Sequence, residues 1–170
     1  MISADYVSKM ARYNRWQNES IFSAADTLAD AERRQDRGAF FGSIHGTLSH
    51  LLWGDTIWMS RFAGWEAPEI GIPESADWVG EWSALKTERR RADARIMEWA
   101  LALSDDELAG ELSWFSGAIG REISRPLAEC VTHFFNHQTH HRGQVHAMLT
   151  QAGAQPGATD LVFMPREGHA

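Results

Sequence analysis

Four long segments of the chain repeat their apolar residues with a helical period. The first runs from about Ser3 to Asp30 and places apolar residues three, four or seven positions apart. The second runs from about Ser43 to Phe62, and the third from about Asp77 to Leu103. The fourth begins near Ser124, a residue suited to an N-cap, and ends near Gly153 with Pro156 just beyond. The pattern therefore predicts four α-helices.

The segments between and after these helices set the expected architecture. Residues 104–124 break the helical period and predict either a short hairpin or an irregular crossover. The tail from about residue 154 looks irregular, and residues 161–163, which are apolar, are expected to pack back on the bundle. A length of 170 residues suits one domain. We therefore expect an all-α fold, a four-helix bundle with a long crossover before the last helix, as a single domain over residues 1–170.

Two features of the first two helices bear on how the bundle is used. The second helix is apolar around most of its circumference, which is typical of a helix that is central or shared with a partner subunit. In the first helix, Asn14 falls inside the apolar stripe. A polar side chain at a core position needs a partner, so Asn14 is either a satisfied core amide or part of a site.

Charge and composition exclude several classes of function. The formal net charge is −7, and the arginines are interleaved with acidic residues, so nucleic acid is not an expected partner. The run Glu88–Arg91 is expected to be a solvated helix face. No apolar run approaches about 18 residues, which predicts no membrane span. The single Cys130 cannot form an internal disulfide and no secretory leader is evident, so a cytoplasmic location is expected by elimination.

The chemistry of the chain is concentrated in its fourth predicted helix. Five of the eight histidines lie there, within the segment HFFNHQTHHRGQVH. At about 100° per residue, His137 and His141 fall inside the apolar face of the helix. His133 and His140 lie on the shoulder of that face, and His146 points nearly away from it. The buried pair is therefore His137 and His141, one turn apart.

Two histidines at this spacing can share one metal ion, because side chains four residues apart are neighbours on a helix. The alternative is two core histidines with separate hydrogen-bond partners, each of which would have to be buried as well. A third ligand has to come from another helix. His45 and His50 lie on different faces of the second helix and the periodicity does not choose between them; Asp55 and Asn14 are further candidates.

Three segments resemble the DinB / YfiT-like family of metal-binding four-helix bundles. The segment NHQTHHRGQ, Asn136–Gln144, resembles the family's N-H-x-x-x-H-R-G-Q helix. The segment SHLLWGDTIWMSRF, Ser49–Phe62, is similar to its H-[LI]-x-x-[AG]-[DE]-x-x-W helix, and YNRWQN, Tyr13–Asn18, to its opening helix. The order of the helices matches too, so the resemblance covers nearly the whole chain.

The resemblance implies a ligand set and a quaternary structure. Carried over by position, the metal ligands are His50, His137 and His141. They imply one divalent transition metal: Zn, Ni, Fe or Mn suit three imidazoles to differing degrees, and Zn or Ni is favoured. Members of the family are often homodimers, so a homodimer is expected here.

Three protein ligands leave a position for water or substrate, as in catalytic metal sites. The family includes enzymes that transfer low-molecular-weight thiols and others proposed to be hydrolases. We therefore expect a metal-dependent enzyme acting on a small-molecule substrate; the alternative is a non-catalytic metal or small-ligand-binding module, linked to stress. Asn14, Trp16, Asp55, His133 and Arg142 are candidates for the pocket or for support of the ligands. For Arg142 the competing interpretation is a surface salt bridge, and for Trp16 it is bundle packing.

Overall fold

The computed structural model describes residues 2–117 and 119–166, and helices make up most of them. The elements in chain order are α1 (Ala4–Asp26), α2 (Asp30–Arg34), α3 (Ile44–Ala63), α4 (Trp82–Ala102), α5 (Asp105–Leu108), β1 (Glu111–Ser116), β2 (Arg121–Pro126) and α6 (Leu127–Gln151). The four long helices α1, α3, α4 and α6 form the bundle. Helix α1 packs against α4 and α6, and α3 packs against the same two, so α1 and α3 lie diagonally opposite. The predicted four-helix bundle is confirmed.

The helix ends follow from capping chemistry where the sequence offers it. Ser3 precedes α1 and accepts a hydrogen bond from the Tyr6 N–H, and Ser43 precedes α3 and accepts one from the Gly46 N–H. Helix α3 ends at Ala63 and is capped by Gly64, whose φ of 64° is left-handed and suits a glycine. These signals explain why the second helix was predicted to within one residue.

Two other helix bounds differ from the prediction. The first predicted helix extends beyond the observed one: α1 ends at Asp26, and Asp30 begins the separate short helix α2. The third helix begins at Trp82 rather than Asp77, since Ile72–Asp77 forms a separate 3₁₀ turn. That turn packs against α3 and reappears in the candidate site.

The crossover before the last helix contains an antiparallel hairpin. Strands β1 and β2 pair with Ser113 opposite Ser124. Of the two alternatives predicted for this segment, a short hairpin or an irregular crossover, the structure has the hairpin. Ser124 was expected to cap the last helix and instead belongs to β2, where its hydroxyl contacts Ser113. Helix α6 begins only at Leu127, because Pro126 disfavours a helical conformation at the residue before it.

Helix α3 occupies the centre of the fold. Every residue from Ile44 to Asp55 is buried within the single chain. Burial inside one chain therefore accounts for the apolar circumference of this helix without a partner subunit. The homodimer stays a prediction that rests on the family resemblance.

The C-terminal tail runs along α1. The prediction that residues 161–163 pack back on the bundle is wrong, since Leu161, Val162 and Phe163 are 40%, 84% and 67% exposed. The tail is instead attached through its backbone: Tyr13 Oη donates to the Thr159 carbonyl and Gln17 Nε2 to the Ala158 carbonyl. Among the described residues, no helix is long and apolar enough to cross a membrane.

Candidate metal centre

Helices α3 and α6 bring three imidazoles together inside the bundle. One nitrogen from each of His50, His137 and His141 lies within 4.8 Å of the other two. The Nε2 atoms of His50 and His137 are 3.2 Å apart. Ligand nitrogens around a tetrahedral Zn²⁺ are roughly 3.3 Å apart, because each Zn–N bond is about 2.0–2.1 Å. Within the described ranges, no other group of three His, Cys, Asp or Glu side chains could share an ion in this way.

A hydroxyl outside the two helices fixes the proton on His50. The Ser75 hydroxyl donates to the Ile72 carbonyl at 2.7 Å, which uses its only proton. His50 Nδ1 lies 2.8 Å from the same Oγ, so Nδ1 carries the hydrogen and donates. The lone pair of His50 is consequently on Nε2, the atom that faces His137. Hydrogen bonds to the far nitrogen are how proteins orient histidine ligands of metals.

His141 has a matching support on its own helix. Its Nδ1 lies 2.8 Å from Gln144 Oε1, an acceptor, so this nitrogen is the donor and the lone pair lies on Nε2. The ring of His137 is packed against the backbone of α3 instead. A Cβ added at Gly54 would lie 2.9 Å from His137 Cε1, so only glycine leaves room for the ring. The lone pairs of His50 and His141 are both fixed on Nε2.

Burial keeps the three imidazoles neutral. Desolvation, followed by repulsion from His137 and His141, lowers the pKa of His50 to about 3. Desolvation, followed by repulsion from His141, His133 and His140, lowers the pKa of His137 to about 4, and burial lowers that of His141. A neutral imidazole is the form that binds a metal, so the residues present fit a divalent ion.

Aromatic rings enclose the His50 side of the centre. Phe41 stacks on His50 with ring centroids 3.6 Å apart and meets the His141 ring edge-on at 5.4 Å. Trp53 also stacks on His50, at 5.7 Å. These contacts restrict the rotation of the ligand rings and keep water from this side.

The centre opens on the side of His137, which is only half-buried. Here His133 is exposed, with its ring 6.0 Å from His137 and 5.1 Å from Trp58. His133 therefore lies at the rim, as its predicted shoulder position implies. Within the part of the chain that the structure describes, no fourth His, Cys, Asp or Glu joins the three ligands. A bound ion would keep a position for a small molecule.

Three other candidate residues belong to a buried polar network next to the centre. Asp55 accepts hydrogen bonds from Arg89 Nη1, at 2.5 Å, and from Gln138 Nε2. Arg142 Nη1 donates to Asn14 Oδ1 and to Gln138 Oε1, the second at 3.2 Å. Arg142 is 5% exposed, so its interpretation as a surface salt bridge is wrong. Asn14 is a core amide whose carbonyl is satisfied.

The network also corrects the expectation for the run Glu88–Arg91. Three of its residues are exposed, but Arg89 is 3% exposed and pairs with Asp93 at 2.9 Å as well as with Asp55. Burial opposes the charge of Arg89, and the two carboxylates outweigh it and raise the pKa of Arg89. Burial raises the pKa of Asp55 to about 6 and lowers that of Arg142 to about 10. These charges stabilise one another inside the bundle.

The remaining candidate, Trp16, lies elsewhere. Its ring contacts Tyr13 at 5.9 Å and lines a surface pocket with Met164 and Pro165 on the tail. This position agrees with packing and gives Trp16 no contact with the three histidines.

Sequence reasoning missed four residues that shape the centre. Gly54 follows His50 by four residues and so shares its helix face, a signal that helical spacing could have revealed. Gln144 follows His141 by three and carries a similar signal. Phe41 and Ser75 lie outside the long helices, where no periodicity points to a site.

The chain is similar to known proteins over nearly its full length. A family model described as the DinB family matches residues 1–168. Protein DinB of Bacillus subtilis (strain 168) is 28% identical over 159 residues, which cover 92% of each protein. A crystal structure of a DinB-like protein from Bacillus cereus ATCC 10987 matches with a TM-score of 0.49 and 19% identity, over 84% of this chain and 90% of that one.

Proposed function

The chain belongs to the DinB family, and from this premise we propose that it is a metal-dependent enzyme that acts on a small molecule. The reaction is either transfer of a low-molecular-weight thiol to an electrophile or a hydrolysis. One observation carries the proposal: three neutral imidazoles converge, and no fourth described protein ligand closes the set. This is the arrangement of catalytic rather than structural zinc sites.

In this proposal the three histidines hold one divalent ion, Zn or Ni, through one nitrogen of each ring, and these nitrogens lie within 4.8 Å of one another. Ser75 and Gln144 hold His50 and His141 in the required tautomers. Such preorganisation strengthens metal binding because the rings need not reorient when the ion enters. Zn²⁺ fits the close approach of His50 and His137.

A bound divalent ion supplies Lewis acidity, which lowers the pKa of a coordinated water or thiol towards neutrality. The residues of the chain provide the surroundings for that chemistry. Phe41 and Trp53 exclude water behind His50, while the half-buried side of His137 admits the substrate. His133 and Trp58, whose ring centroids are 5.1 Å apart, form the rim on this side.

The metal-binding half of the proposal is tested by metal content. The protein is purified without chelator or affinity tag, and metals are quantified by mass spectrometry. We expect about one ion per chain in the parent protein. The variants His50→Ala, His137→Ala and His141→Ala should each lose this ion. The control is His146→Ala, on the same helix but away from the centre, which keeps its ion. Unchanged metal content in the three ligand variants would refute the centre.

The catalytic half is tested with the metal-loaded protein. Glutathione, bacillithiol and mycothiol are each screened against electrophiles, and a panel of esters and amides is screened without thiol. Turnover should disappear when the metal is removed and return when it is restored. A fully metal-loaded protein without any turnover would favour the non-catalytic, stress-related binding module.

The assembly and the location are part of the same proposal. We propose a homodimer on the family resemblance, which light scattering at micromolar protein concentration can check. We also propose that the protein acts in the cytoplasm, in keeping with its single, buried Cys130.

A further inference from the structure

A second pocket lies on the opposite side of α6 from the metal centre. It is bounded by α1, α6 and the tail, whereas the three histidines lie between α3 and α6. Its volume is about 420 Å³, within the range of roughly 300–1,000 Å³ that is usual for small-molecule sites. Its lining includes Tyr13, Arg142, Gly143 and Thr159.

Arg142 is a buried cation without a direct anionic partner. Although it is only 5% exposed, it forms no ion pair with a described carboxylate. The Asp55 carboxylate is linked to it only through the Gln138 amide. Buried guanidinium groups are normally paired, because an uncompensated buried charge is costly. Arg142 therefore has no direct counter-ion among the described residues.

The guanidinium has a free edge for such an anion. Only Nη1 donates to described residues, namely to Asn14 and Gln138. The Nε–H and one Nη2–H lie side by side on the other edge, and no described residue accepts from them. Two parallel N–H bonds match the two oxygens of a carboxylate and bind it in bidentate geometry.

The rest of the pocket suits a small anion. None of its lining residues is Asp or Glu, in a chain whose formal net charge is −7. Gly143 lines it too, and a Cβ added there would meet no atom within 4 Å, so the space beside Arg142 is open. The tail closes one side, where the Tyr13 hydroxyl holds the Thr159 carbonyl at 2.6 Å. The pocket therefore offers a cationic side chain, open volume and a side closed by the backbone of the tail.

We propose that this pocket binds the carboxylate group of a small organic molecule, held by the free edge of Arg142. The site is separate from the metal centre and does not need the metal. The guanidinium fork accepts either a carboxylate or a phosphate. Charge favours the carboxylate, because Arg142 is the only Lys or Arg side chain in the lining and a phosphate carries more than one negative charge at neutral pH.

The test is an NMR titration of the full chain labelled with ¹⁵N. Acetate, succinate, benzoate and inorganic phosphate are added at matched ionic strength, with chloride as the reference. The titration is run on the protein as purified and again after chelator treatment, which separates this site from anion binding to a metal. We expect saturable shifts of the Gly143 and Thr159 amides with at least one carboxylate, with the same affinity in both preparations.

Two substitutions at one position provide a matched pair. Gly143→Leu fills the open space and should weaken binding by about tenfold or more, whereas Gly143→Ala leaves room and should change it by less than about twofold. Arg142→Lys keeps the charge but lacks the fork, so a loss of about tenfold is expected. If Arg142→Lys fails to fold, the glycine pair still decides the question.

Four results would overturn the proposal. They are the absence of saturable shifts with every carboxylate, equal affinity in Gly143→Leu and Gly143→Ala, tighter binding of phosphate than of any carboxylate, and loss of binding after chelation. The last would assign the anion to the metal centre. The metal content of the histidine variants tests the proposed function and does not bear on this pocket.

Discussion

The hydroxyl of Ser75 lies 2.8 Å from Nδ1 of His50 and determines which nitrogen of that ring can bind a metal. Ser75 belongs to the 3₁₀ turn between α3 and α4, not to the bundle helices that carry the three histidines. The turn is attached to α3 by a hydrogen bond from Ser49 Oγ to the Ser75 carbonyl, at 2.9 Å. The tautomer of His50 on α3 thus depends on the loop that follows this helix.

Ser75→Ala should weaken metal binding without unfolding the protein. Without the hydroxyl, His50 Nδ1–H loses its acceptor and the ring can adopt the tautomer with its hydrogen on Nε2. Loss of such a support typically costs about 10–100-fold in metal affinity. The measurement is competition with a chromophoric chelator. Ser60→Ala is the control, since that hydroxyl bonds only the Ile57 carbonyl of its own helix; equal affinities in the two variants would contradict the argument.

Gly54→Ala should also impair the centre, by a steric route. The new methyl group would lie 2.9 Å from His137 Cε1, closer than such contacts allow, so the ring has to move. Because the ring belongs to the proposed ligand set, metal affinity should fall by about tenfold or more. Gly143→Ala is the matched control: it is helical and its Cβ meets no atom within 4 Å, so it should raise stability by about 0.5–1 kcal/mol and leave metal affinity unchanged. Normal metal affinity in Gly54→Ala would show that the ring has room to shift.

Helical spacing was sufficient to single out two histidines on α6 but could not choose between two on α3. On α6, one face is apolar and the other is polar, so His137 and His141 stand out as polar residues within the apolar face. Helix α3 is buried all round, and His45 and His50 are 2% and 3% exposed. The structure distinguishes them by partners: His45 Nε2 contacts the Val79 carbonyl at 2.8 Å, whereas His50 joins His137 and His141. Only the family resemblance selected His50.

Residues whose role depends on another element escaped the sequence analysis. Arg89 looks like its solvated neighbours in the charge run, and Arg142, although a candidate for the pocket or for ligand support, was also open to interpretation as a surface residue. Each has a partner on another helix, Asp55 for Arg89 and Asn14 for Arg142. Their burial requires knowing that α1 faces α4 and α6. Ser75 gave no signal, since loop residues follow no period. Local pattern therefore predicted the helices and part of the ligand set, but not the contacts that orient the ligands.

The metal-free protein should lose stability as the pH falls from about 6.5 towards 4. In the folded chain the pKa values of His50 and His137 are lowered to about 3 and about 4, from an ordinary value of 6.5. In this window the unfolded chain binds more protons than the folded one, so the free energy of unfolding rises with pH, by up to about 1.4 kcal/mol per pH unit for each site. Urea unfolding at several pH values, with chelator present, measures it.

His137→Gln isolates one contribution to that dependence. The substitution removes one histidine whose pKa is lowered in the folded chain. The free energy of unfolding of this variant should therefore fall less steeply between about pH 6.5 and 4 than that of the parent chain. The comparison matters because Asp55, whose pKa is raised to about 6, acts with the opposite sign in both proteins. Asn136→Ala, exposed on the same helix, should keep the steep dependence. Parallel curves for His137→Gln and the parent chain would contradict the assignment.

Asp55→Asn should destabilise the fold strongly while leaving the metal centre able to bind. The substitution removes one carboxylate from the buried Arg89, and breaking a buried ion pair from one side costs about 3–5 kcal/mol. The control is Asp26→Asn, because Asp26 pairs with Lys86 near the surface, where such pairs contribute less than about 1 kcal/mol. Urea unfolding gives the stabilities, and metal affinity is measured under conditions in which both variants are folded.

Asp55 contacts Arg89 and Gln138, and neither is a proposed ligand, so the metal affinity of Asp55→Asn should change by less than about threefold. A folded Asp55→Asn that has lost its metal would instead make Asp55 part of the centre, with Gln138 as the route to the neighbouring His137.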